Sequence, residues 1–155
     1  MARLARIAFL ATLLLAATAL AACGDDNTEK NAYVRELTEA QMRYQNNAKR
    51  IEAGATTTST PRQDRRTLAR FSEAIADTIT ALRAIKPPSQ VAKEHAAFID
   101  VFVAWHDDVA RFTKAISKPT RTGVRRAQRR IAVANQTFNQ SLRRAGTDID
   151  AKLAS

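Results

Sequence analysis

One cysteine, four glycines and four prolines are all that 155 residues contain of these types. A single cysteine permits no intrachain disulfide, so any fold must stand on packing alone. Sandwiches and barrels need turns at short intervals and spend glycine and proline on them, so this scarcity leans the chain towards helices. The signatures of catalysis are missing too. There is no Gly-x-Ser-x-Gly, phosphate loop or dinucleotide fingerprint. No Glu-x-x-His pair occurs of the kind that holds a di-iron site in a bundle, and no Cys-x-x-Cys-His that would attach haem. These gaps lead us to expect no enzyme, no metal and no cofactor. No internal repeat or low-complexity stretch is present.

What is there is an ordinary globular balance, 45% apolar and 26% charged, with a net charge of +10. The charge is concentrated in arginine, an excess that favours anionic partners.

The first 23 residues have a layout of their own. Arg3 and Arg6 make a positive start. Ile7 to Leu20 follow without a charge, including Leu13-Leu14-Leu15, and small residues close the segment. This is the form of a secretory signal, too short and too alanine-rich for a comfortable membrane span. Ordinary secretion with nearby cleavage and an uncleaved anchor helix are the blander readings.

The end of the segment is sharper. Leu20-Ala21-Ala22-Cys23 resembles the lipobox of bacterial lipoproteins, in which an apolar residue and two small residues precede a cysteine. The resemblance covers about the first 26 residues. It implies that diacylglycerol, and further acyl chains such as palmitate, are joined to Cys23, and that the chain is cut between Ala22 and Cys23. It also implies an extracytoplasmic address, with the membrane as a partner through that lipid. Chemistry agrees, since a thiolate is a good nucleophile for forming a thioether and small residues let the bond enter a peptidase. The layout is then a signal peptide over 1–22, a tether over 23–27 and a domain over 28–152. Arg3 and Arg6 leave with the signal, so 23 basic residues remain against 15 acidic, a balance of +8.

Four amphipathic patterns fill the domain. The first, about 28–53, carries Tyr33, Leu37, Ala40, Tyr44, Ala48 and Ile51 at spacings of three and four, and Gly54 ends it. The second, about 61–86, opens on the capping box Thr60-Pro61-Arg62-Gln63 and stops at Pro87-Pro88. Its stripe is Leu68, Phe71, Ile75, Ile79, Leu82 and Ile85. The third, about 89–118, carries an unbroken seam of Val91, His95, Phe98, Phe102, Trp105, Val109, Phe112 and Ile116, widened by Ile99, Val101 and Val103. The fourth, about 121–146, carries Val124, Ala127, Ile131, Ala134, Phe138, Leu142 and Ala145, with Ile149 beyond and Gly146 as its expected end. Short connections make this an all-α protein, an antiparallel up-down-up-down four-helix bundle. The first helix has the weakest stripe; an exposed apolar strip there would point to dimerisation. Oligomeric state and species are otherwise unreadable, although the chain broadly resembles the small helical lipoproteins of high-GC Gram-positive bacteria.

That topology sorts the charges. Lys49, Arg50, Arg62, Arg65, Arg66, Arg70, Arg111, Lys114, Lys118, Arg121, Arg125, Arg126, Arg129 and Arg130 gather at the membrane-distal end, with Glu52 and Asp64 as the nearby acids. Like charges a turn apart cost a few tenths of a kcal/mol, and arginine in a first turn opposes the helix dipole. Local stability therefore does not account for Arg121, Arg125 and Arg129 on one stripe or Arg126 and Arg130 on another. The functional reading is an anion-binding tip formed by Arg62, Arg65, Arg66, Arg121, Arg125, Arg126, Arg129 and Arg130. Its partner would be an anionic polymer or an acidic protein. The bland reading is a solvated arginine-rich face. Nucleic acid fits least, because no aromatics interleave with the arginines.

His95 interrupts an apolar seam. A buried histidine needs a partner, and Tyr33 is level with it in the bundle. The structural reading is a satisfied core histidine. The alternative is a pocket near His95 and Tyr33 that senses a solute or a metal. His106-Asp107-Asp108 looks metal-binding as a string, but His95 and His106 lie about 16 Å apart along a helix. Trp105 and the phenylalanines at helical spacing read as core. The expected role is therefore non-enzymatic: binding or structural, at the cell envelope.

Overall fold

The computed structural model describes residues 25–53, 60–117 and 121–155, and among them the side chains of residues 25–27, Pro61, Arg121 and Val124 are not included. The lipobox, Gly54, Lys118 and Pro119 lie outside the described residues. The described chain is all-α. Four long helices pack against one another: α1 (Asp25–Ala53), α2 (Pro61–Ala84), α3 (Ala92–Ser117) and α4 (Arg121–Leu153). A short 3-10 turn, Ser89–Val91, leads into α3.

Local chemistry sets the ends. Thr60 Oγ1 accepts from the Gln63 backbone N–H at 3.3 Å, and Gln63 Oε1 accepts from the Thr60 N–H at 2.7 Å, so both halves of the capping box form. α2 stops at Ala84, two residues short of the expected 86. Ile85 is already extended, with φ −72° and ψ 132°, and Pro87 disfavours helix at the next residue, Lys86. The third helix, expected from 89, begins as a 3-10 turn in which the Val91 N–H bonds Pro88 O at 3.0 Å.

Two expected boundaries are corrected. The first helix, expected from about 28, already starts at Asp25. The fourth helix does not stop at Gly146 but runs on to Leu153. Ile149 beyond the glycine is 1% exposed, and Leu153 packs against the core. Burying both outweighs the roughly 1 kcal/mol that a glycine costs inside a helix. A Cβ on Gly146 would meet nothing within 4 Å. Gly146→Ala should therefore raise stability by about 0.5–1 kcal/mol in urea denaturation; a loss would mean that the glycine is needed there.

The core lies along the four stripes. Tyr33, Leu37, Ala40, Tyr44 and Ala48 of α1 are buried, with Ile51 partly so. Their counterparts run from Phe71 to Ile85, from Val91 to Phe112, and from Ala127 to Ile149. α4 packs along α3, α3 along α2 and α2 along α1, while α1 and α4 pack less closely than these pairs. Those two meet where Lys30 Nζ donates to Leu153 O at 3.0 Å and where the Tyr44 and Phe138 rings lie 6.1 Å apart. Among the described residues Met42 and Val133 are the exposed large apolar side chains, and they stand on different helices and form no strip.

Candidate functional site

Three places hold the side chains singled out by sequence. The first is a polar lock in the core. His95, 4% exposed, lies within hydrogen-bond reach of two groups: Tyr33 Oη at 3.1 Å from Nδ1 and Leu82 O at 3.0 Å from Nε2. A carbonyl can only accept, so Nε2 carries the proton and Nδ1 accepts from the Tyr33 hydroxyl. The ring is neutral and both nitrogens are engaged. Leu82 O belongs to the last turn of α2, where it also accepts the Ile85 backbone N–H at 3.2 Å. His95 thus caps α2 from α3 and ties both to α1.

Burial holds His95 below its ordinary value of 6.5, against the opposing pull of the Leu82 carbonyl. Burial, Asp150 and Glu94 push the Tyr33 hydroxyl up. Burial also raises Asp150. As pH falls below about 6.5, the unfolded chain takes up a proton that folded His95 resists. Its contribution is therefore present above that pH and lost below it. Asp150 acts in the opposite direction, and lower, in the carboxylate range. Urea midpoints should drop between about pH 7.5 and about pH 5, and His95→Gln should flatten the drop. An equal drop in the variant would remove His95 as its cause.

The second place is the ring cluster at mid-height. Trp105 stacks on Phe138 with centroids 5.2 Å apart at 19°, and meets Phe71 edge-on at 6.1 Å. Tyr44 meets Phe102 edge-on at 5.3 Å. Trp105 Nε1 donates to Tyr44 Oη at 3.0 Å, a bond that no spacing argument pointed to. The rings fill one another's space. His106 is separate: its Nε2 lies 2.9 Å from Ser72 Oγ. Among the described residues no three His, Cys, Asp or Glu side chains gather as a metal site would need.

The third place is basic. Arg62, Arg65 and Arg66 are exposed on α2, and Arg125, Arg126, Arg129 and Arg130 are exposed on α4. Arg121 opens α4. The structure divides this set rather than gathering it. Arg126 and Arg130 line a cavity of about 300 Å³ between α3 and α4, together with Arg111 and Asp108. Arg62, Arg65 and Arg66 line neither that cavity nor a second one of about 340 Å³ between α1 and α2, whose lining includes Arg50, Arg70, Glu73 and Asp77. His95 and Tyr33 line neither. Asp108, not among the acids expected near the basic end, pairs with Arg111 at 2.6 Å. The i,i+3 spacing carries that pairing and could have revealed it. Arg126 and Arg130 have no ion pair among the described residues.

No described helix is long and apolar enough to cross a membrane. Compared with known proteins, the chain matches no family model, no curated protein and no solved structure.

Proposed function

We propose that this chain is a lipoprotein of the outer face of a bacterial membrane. It is cut before Cys23, and its role is to bind an anionic partner, without catalysis, at the end of the domain away from the bilayer. The observation that carries the reading is Leu20-Ala21-Ala22-Cys23 at the end of a charged, then apolar leader. The start of α1 at Asp25 supports a domain held close to the lipid. Two residues span at most about 7 Å.

Contacts support an up-down-up-down course. Lys30, early in α1, reaches Leu153 at the end of α4. Tyr33, early in α1, joins His95, early in α3, which joins Leu82, late in α2. On this course those four helix ends share the membrane side. The exposed arginines of early α2 and early α4 then share the far side. Their partner is an anionic envelope polymer or an acidic protein; without aromatics among them, they suit a nucleic acid less.

The test is Arg125, Arg126, Arg129 and Arg130 all changed to Glu. All four side chains are exposed, so the variant should stay folded. The parent should be retained on a phosphate-bearing polymer matrix at low salt and released as salt rises. The variant should pass straight through. Unchanged, salt-insensitive retention would sink the reading.

A further inference from the structure

The cavity between α3 and α4 has two halves of different chemistry. Its floor is apolar: Phe112 and Ala115 from α3, and Ala127, Ile131 and Ala134 from α4. Three of these five are alanines, and their small side chains leave the space open. Its rim carries Arg111, Arg126 and Arg130. Asp108 engages Arg111, so two guanidinium groups one helical turn apart remain without an ion pair among the described residues. An apolar cleft with a few convergent charged groups is the usual form of a small-ligand site, and about 300 Å³ is at the small end of the range for one.

We propose that this groove binds a free fatty carboxylate. The carboxylate sits between Arg126 and Arg130, where guanidinium donors match its two oxygens. The chain lies along Ala127, Ile131 and Ala134, a strip about 10 Å long at the helical rise. A polyanion would engage Arg125 and Arg129 equally and leave the floor unused. The groove site therefore goes beyond the polymer reading, although the two share Arg126 and Arg130.

Calorimetry at constant ionic strength tests it, on residues 23–155 carrying Cys23→Ala, which keep every residue of the described core. Octanoate should bind at least about tenfold tighter than acetate, which offers only the charge, and than octanol, which offers only the chain. Ala115 is exposed at the groove, so Ala115→Phe blocks the chain without entering the core. It should weaken octanoate at least about tenfold while leaving salt-dependent retention on the polymer matrix intact. Arg126→Gln with Arg130→Gln should weaken octanoate as strongly. Equal affinities for octanoate and acetate, or for octanoate and octanol, would overturn the proposal. So would octanoate binding that is indifferent to Ala115→Phe. Loss of matrix retention with octanoate binding preserved would count against the polymer reading alone.

Discussion

Trp105→Ala is expected to cost about 3–5 kcal/mol of folding free energy. Total stability for a domain of this size is about 5–15 kcal/mol, so the variant should be barely folded. Trp105 is 1% exposed and sits where the helices converge. Its ring stacks on Phe138 of α4 and meets Phe71 of α2 edge-on. Its indole N–H is held by Tyr44 of α1. Alanine leaves a void that stiff neighbouring helices close only in part, and strands the buried Tyr44 hydroxyl. Tyr44→Phe separates the two effects, since it keeps the ring and leaves the indole N–H unpartnered, for about 1–3 kcal/mol. Urea unfolding followed by far-UV circular dichroism is the check, because the only tryptophan is the one removed. A loss under about 1 kcal/mol for Trp105→Ala would mean that the ring cluster does not organise the core.

The same residues show what the sequence made legible. Stripes at spacings of three and four are legible because a helix buries one face, and Phe98, Phe102, Trp105 and Val109 are all buried. His95 stood out by breaking such a stripe, and its partner Tyr33 followed from level alone. The carbonyl of Leu82 did not, since no side-chain pattern records which backbone carbonyl at a helix end can take a second donor. The Trp105–Tyr44 bond was equally hidden. Both residues read as hydrophobic, and rotamers, not spacing, decide where their polar atoms point. Gln41 is buried as well, although its position beside Ala40 gave no sign of it. Gly146 misled because local propensity favoured a stop there, whereas Ile149 and Leu153 reward three-dimensional burial. The arginines read as one patch along the chain. Whether exposed charges converge depends on which helices are neighbours, and α4 lies along α3, not along α2.

Cys23→Ala is expected to have the largest effect in the cell, complete loss of the lipid anchor and of cleavage before residue 23. The lipid on that thiol is the proposed anchor, each buried methylene contributing about 0.8 kcal/mol to it. No described helix can replace it as a span. With the thiol gone, the lipid has no atom to join, cleavage before residue 23 loses its substrate, and the arginines of early α2 and early α4 lose their fixed distance from the bilayer. The direct measurement is the intact mass of the membrane-extracted protein, with Cys23→Ala alongside. The account predicts the mass of residues 23–155 plus diacylglycerol for the parent, and no such species for the variant. A parent recovered as a soluble chain without lipid would contradict it.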